Sequence, residues 1–253
     1  MFLYLVILFV IVLILATIYV LLISLYDYLL LLFPILSNKS IQKLEIISPF
    51  YRSLSNKEKK EFRKRVAIFI TLHQFIPKEN TKITKEIKIM IASIAVMISF
   101  RFRNSEFLEF DKILIYPKHY YSHSNDNFHK GETNPYLKTI VFSLEDFKEG
   151  IAITNDNINL GIHEFTHALH LIMQRSNTKE AFDFIAYFDK IISHFSIYGK
   201  QIREANYIRD YAFTDEHELL AVITENYFET PIKFKEVMPE VFYLLNKMYK
   251  AYN

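Results

Sequence analysis

Gly161-Ile162-His163-Glu164-Phe165-Thr166-His167-Ala168-Leu169-His170 contains the pattern His-Glu-x-x-His, and the rest of the chain is read outward from it. On a helix, residues three and four apart share a face. His163 and His167 therefore project side by side and reach one Zn²⁺ together. Glu164 sits about 60° around the helix from His167, close enough to touch a water on the metal without ligating the metal itself. Two imidazole ligands and a carboxylate general base form the layout with which zinc hydrolyses peptide bonds. Ile162, Phe165, Ala168 and Leu169 supply an apolar flank, as expected of a helix buried in a core. The plainer alternative is an amphipathic helix with solvated or hydrogen-bonded histidines. It leaves two imidazoles and a carboxylate wedged among apolar positions, where unpaired polar groups cost free energy.

The 253 residues allow one membrane segment and one large domain, or at most two small ones. There is no cysteine, so any zinc is held by His, Asp or Glu. A net charge of +2 argues for no nucleic-acid partner. Only 4 Gly stand against 23 Phe and 17 Tyr, which predicts a helix-rich, aromatic-packed core with few tight turns.

Residues 1–26 carry no charged side chain. As a helix they span roughly 39 Å, enough to cross a bilayer core of about 30 Å with some tilt. A cleavable signal peptide is the competing reading, but there is no basic leading region and no small-x-small cleavage site, and the apolar run is too long. A retained anchor over residues 1–36 is therefore expected, with the second apolar stretch Leu29–Leu36 interrupted at Pro34. A basic juxtamembrane linker (37–54) and the main domain (55–253) follow. Between 38 and 65 there are nine basic and three acidic side chains, and no basic side chain precedes the span. The positive-inside rule then places a single-pass chain with its C-terminal domain in the cytoplasm. The basic segment is either a solvated helix face or a belt resting on anionic membrane lipid.

Ser55-x-x-Glu58 is a capping-box pattern opening a helix, and Thr84 caps a second, whose apolar middle (89–100) is too short to span and reads as a buried core helix. His73 reads as a helix-end residue. Lys112–Tyr116 predicts a strand. Residues 118–137, with His119, His123 and His129, read as a polar loop. A second strand follows over 138–147, its free edge available to pair with an extended peptide. The Asn155-Asp156-Asn157 cluster turns into the His163 helix. Further helices are expected over 178–196, from Thr214 or Asp215 to Phe228, and over 234–250.

A hydrolytic zinc needs a third protein ligand. Glu218 and Glu225 lie seven apart on one helix face, and chemistry alone leaves them nearly tied. Asp215-x-x-Glu218 is also a capping-box spacing.

Four stretches decide between them by resemblance: Phe62-Arg-Lys-Arg-Val66-Ala-Ile-Phe69; Ile83-Thr-Lys-Glu-Ile87 running into Ile91-Ala-Ser-Ile-Ala95; Asn159-Leu-Gly-Ile-His163-Glu-Phe-Thr-His167-Ala-Leu169; and Tyr211-Ala-Phe-Thr-Asp-Glu-His-Glu218-Leu-Leu-Ala221 through Thr224-Glu225-Asn-Tyr-Phe228 to Pro231. Over residues 58–250 the chain resembles the Mlc titration factor A family of zinc-dependent peptidases, also called the DgsA anti-repressor family. The resemblance implies an α+β fold, a mostly helical zincin-like metallopeptidase domain with a small sheet, here preceded by a transmembrane helix. It implies zinc on His163, His167 and Glu218, Glu164 as general base and Tyr211 as a phenol facing the metal. A peptide or protein is the implied substrate. The alternative is a regulatory binding module that sequesters a transcriptional repressor, its zinc site structural or weakly active. The family usually has aspartate where this chain has His170, so either the surroundings of the metal differ or His170 itself approaches it. The resemblance does not account for the N-terminal anchor.

Overall fold

The computed structural model describes residues 2–32, 35–102, 107–122 and 127–250, so Pro34 and His123 lie outside the description. Helix α1 (Phe2–Leu32) has Asp27 as its one charged residue, and none of Val6–Ile23 is buried; that span is long and apolar enough to cross a membrane. The stretch expected as a basic linker folds into α2 (Asn38–Ile47) and α3 (Pro49–Ser53), whose Leu44 and Tyr51 are fully buried in the core. Helix α4 (Asn56–Leu72) opens on the anticipated capping box. The Ser55 backbone N–H donates to Glu58 Oε2 at 2.9 Å, and the Glu58 N–H donates to Ser55 Oγ at 3.4 Å. His73 caps its C-terminus.

Strand β1 (Gln74–Pro77) leads to α5 (Lys85–Ser99), the expected core helix, buried without a break from Ile89 to Ser99. Strands β2 (Lys112–Tyr116), β3 (Tyr120–Ser122), β4 (Asn127–His129), β5 (Gly131–Asn134) and β6 (Thr139–Ser143) follow. The sheet order is β1-β2-β6-β5, with β1, β2 and β6 parallel and β5 antiparallel to β6; β3 and β4 form a separate antiparallel pair.

Two expectations are corrected here. Residues 118–137 are not simply a loop, because they contain β3, β4 and β5. Strand β6 has no free edge, since it lies between β2 and β5 and all five of its residues are buried. The outer edge belongs to β5, with which no described strand pairs. Gly-Glu-Thr-Asn has no apolar alternation, so the hydrophobic signal that reveals a core strand is missing from it.

Helices α6 (Leu144–Ala152), α7 (Leu160–Arg175) and α8 (Lys179–Glu204), a 3-10 turn (Asp210–Phe213), and helices α9 (Glu216–Glu229), α10 (Pro231–Val237) and α11 (Pro239–Lys250) complete the domain. The single last helix expected over 234–250 is two, because Pro239 disfavours a helical conformation at Met238 and supplies no N–H to continue the ladder.

Helix α7 packs against α5, α9, β5 and β6. Its Phe165 is fully buried, with ring centroids 5.2 Å from Phe107, 5.5 Å from Phe142 and 5.9 Å from Phe69. This aromatic cluster sets the rotation of α7 and hence which of its residues face β5 and α9.

Candidate metal centre

The start of α7 is built by Asn159. Its Oδ1 accepts the Ile162 N–H at 3.1 Å, while its amide donates to Gly150 O at 2.8 Å and to Glu229 Oε1 at 3.0 Å. Gly161 lets the first turn close on α6, since a Cβ there would lie 2.7 Å from the Phe147 ring. The helix then presents His163 and His167 toward α9.

Asp215 is the N-cap of α9, accepting the N–H groups of His217 at 2.8 Å and Glu218 at 2.9 Å. The Glu218 side chain turns toward α7. His163 Nε2 and His167 Nε2 are 3.1 Å apart, and Glu218 Oε2 lies 2.9 Å from the first and 3.6 Å from the second. All three side chains are largely buried, at 12, 16 and 17 % exposure. Glu218 Oε2 is buried and faces the two imidazole nitrogens. Two imidazole nitrogens and one carboxylate oxygen converging this closely fit a divalent cation that prefers nitrogen and oxygen donors.

Glu225 is 1 % exposed and stands behind His163. His163 Nδ1 is 2.7 Å from Glu225 Oε1, and Arg209 pairs with the other oxygen, Oε2. Of the two carboxylates that chemistry leaves tied, Glu218 thus joins the two histidines in a cluster that could hold a metal, and Glu225 stands on the other side of the His163 ring. Burial lowers the His163 pKa, but Glu218 and Glu225 outweigh it and push it up to about 10 in the ion-free protein. Burial likewise raises Glu218, and the two imidazoles overcome it, holding the carboxyl well below the usual range.

Glu164 is 5 % exposed, and burial raises its pKa against the opposing pull of His167 and His163. Tyr211, in the 3-10 turn, is half exposed with its ring 5.9 Å from His163. Burial and the nearby Glu218 carboxylate raise its phenol to about 12, so it remains a hydrogen-bond donor. His170 does not join the cluster. It is fully buried against Phe188 and Phe184, its Nδ1 lies 3.2 Å from His217 Nδ1, and burial lowers its pKa to about 4. His119 Nε2 sits 3.0 Å from Asp146, and His129 lines the outer cavity.

A cavity of about 420 Å³ opens over the cluster, lined by Gly131, His163, Glu164, Arg209 and Tyr211 among others. Sequence reasoning missed Gly131, Thr133 and Arg209. No local pattern marks them, because each acts across a contact made only in three dimensions.

Residues 34–250 match the family described as glucose-regulated metallo-peptidase M90. The chain is also 21 % identical over 223 residues to the uncharacterized protein slr2042 of the cyanobacterium Synechocystis sp., covering 79 % of each chain.

Proposed function

This chain belongs to the glucose-regulated metallopeptidase M90 family, the one its sequence resembles, and from that premise we propose that it is a membrane-anchored zinc-dependent peptidase. The observation that carries the proposal is the convergence of His163 Nε2, His167 Nε2 and Glu218 Oε2, with His163 and the buried carboxylate Glu164 lining one cavity.

When bound, zinc polarises the scissile carbonyl and acidifies a water. Glu225, fixed by Arg209, holds the Nδ1 side of His163 so that Nε2 faces the ligand point. Glu164 takes the water proton and passes it to the leaving amine as the C–N bond breaks. The Tyr211 phenol donates a hydrogen bond to the oxyanion of the carbonyl under attack. An extended peptide lies along the outer edge of β5, which leads the substrate past Glu164.

Helix α1 anchors the chain, and the basic side chains that follow it place the domain on the cytoplasmic side. Exposed Lys39, Lys57, Lys60 and Lys64 face anionic lipid there.

The test is zinc analysis of the purified full chain together with hydrolysis of unstructured peptides, each with and without chelator. One ion per chain and chelator-sensitive cleavage are expected. Glu164→Gln that cleaves as fast as the parent rules out the assigned mechanism. Protease protection of a C-terminal tag in vesicles of both orientations tests the topology.

A further inference from the structure

Strand β5 is an edge strand of polar composition, yet one of its faces is fitted closely to α7. Alternate residues of a strand share a face, and Gly131 and Thr133 are two apart. Both meet Glu164. Thr133 Oγ1 lies 2.9 Å from Glu164 Oε2 and also 2.9 Å from the Glu164 main-chain oxygen. A Cβ on Gly131 would stand 2.5 Å from Glu164 Oε1 and 2.8 Å from its Cγ. The other face of β5 is used differently: Asn134 Nδ2 donates to Glu132 Oε1 at 3.1 Å.

A hydroxyl has one hydrogen to give. As a general base Glu164 works from its carboxylate form, and of the two acceptors within reach that carboxylate is the stronger, because hydrogen bonds to charged groups are roughly twice as strong as neutral ones. The hydrogen therefore goes to Oε2. Among the described residues this is the hydrogen bond that the structure gives the Glu164 carboxylate. It fixes one oxygen, while the other lies over the bare Cα of Gly131 at the cavity wall.

We propose that Thr133 is a positioning residue for Glu164, its hydroxyl holding Oε2 so that Oε1, accommodated by Gly131, is the oxygen that exchanges the proton. This inference rests on the general-base reading of Glu164 above. It assigns the two carboxylate oxygens different work. Oε1 receives the proton from water and returns the same proton to the amine nitrogen, so no proton has to pass from one oxygen to the other. It also makes the strand that receives the peptide the element that aims the base, which ties substrate register to base geometry through two alternate residues.

The experiment compares Thr133→Val, nearly isosteric but without the hydroxyl, with Thr133→Ser, which restores it. Hydrolysis of a set of fluorescence-quenched peptides by the full zinc-loaded chain is measured alongside zinc content. The expected result for Thr133→Val is a fall in kcat of about 10- to 100-fold, the worth of a hydrogen bond to a charged group, with KM and zinc content unchanged. Thr133→Ser is expected to recover most of that loss. Should Thr133→Val not fold, Thr133→Ala against Thr133→Ser makes the same comparison.

A readout independent of turnover is the unfolding midpoint of the metal-free chain, in which Thr133→Val and Glu164→Gln together should shift less than the sum of the two alone. An unchanged kcat in Thr133→Val, a Thr133→Ser variant as slow as Thr133→Val, or additive midpoint shifts would overturn the inference while leaving the peptidase reading in place. A fully active Glu164→Gln, or a parent that cleaves no peptide, overturns the general-base reading itself and this inference with it.

Discussion

His163 Nδ1 is held 2.7 Å from the buried Glu225 Oε1, while the same ring's Nε2 lies 2.9 Å from Glu218 Oε2. One imidazole thus bridges two carboxylates seven residues apart on α9, one in the cluster that could hold a metal and one behind the ring. Substituting the two should therefore have different consequences. Glu218→Ala is expected to abolish stoichiometric zinc. Glu225→Gln is expected to leave a site that still binds, with affinity lowered by about 10- to 100-fold as for other partners that orient a metal-bound histidine. Competition with a chelator of known affinity measures both. Equal losses in the two variants would mean that Glu225 is itself a ligand.

Two carboxylates flank the His163 ring and favour its protonated form when zinc is removed. The His163 pKa is raised from 6.5 to about 10 by Glu218 and Glu225 against the opposing effect of burial. A group raised in the folded state stabilises it fully below its unfolded value and loses that contribution as pH rises through its folded value. Chelator-treated protein is therefore expected to lose stability as pH rises from about 6.5 toward about 10. Thermal melts across that window measure it. Zinc must displace the same proton, so loading at neutral pH is expected to release about one proton per chain, read by titration in weak buffer. Uptake without proton release would place the proton elsewhere.

Gly131→Ala drives a methyl group into Glu164 Oε1 at 2.5 Å and Leu160 Cδ1 at 2.7 Å. Glu164 carries no metal, so the expected outcome is loss of hydrolysis by more than about tenfold, the cost of a displaced catalytic group, with zinc content retained. Parallel metal analysis and peptide assays decide it. A variant that loses zinc and activity together would instead indicate collapse of β5 onto the ligand helix.

Asn159→Ala removes the N-cap of α7 together with bonds to Gly150 and Glu229. Loss of the cap alone costs about 1 kcal/mol, and the broken links to α6 and α9 add to it. Urea unfolding of the metal-free chain should show a lower midpoint with an unchanged slope.

His170→Gln should keep one zinc per chain. His170 is buried beside Phe184 and Phe188, with its Nδ1 on His217, and is not one of the three clustered side chains. Metal content reduced to the level of Glu218→Ala would restore His170 as a ligand.

The difference between what was legible and what was hidden follows the range of the interactions. Ser55, Thr84 and Asp215 are helix caps recognisable from their neighbours, and each caps the helix it announces. The core helix α5 is legible because its apolar run is continuous. Strand β5 is hidden because Gly131-Glu132-Thr133-Asn134 has no apolar period; it is held as a strand by pairing with β6, from Gly131 with Phe142 to Asn134 with Thr139. Arg209 is hidden for a related reason. Its partner Glu225 lies on another element, and nothing near Arg209 in the chain announces the pair.

By itself the sequence determined the helix that carries His163, Glu164 and His167, because 3.6 residues per turn places that spacing on neighbouring faces wherever the helix forms. It also determined an apolar N-terminal helix long enough to cross a bilayer, because length and the absence of charge are local properties. The tertiary structure alone showed that Glu225 pairs with His163 Nδ1 and with Arg209, and which edge of the sheet borders Glu164. Those outcomes depend on the rotation of α7 against α9 and β5. That rotation is set by the packing of Phe165 against Phe69, Phe107 and Phe142, residues distant in the chain that meet only once it has folded.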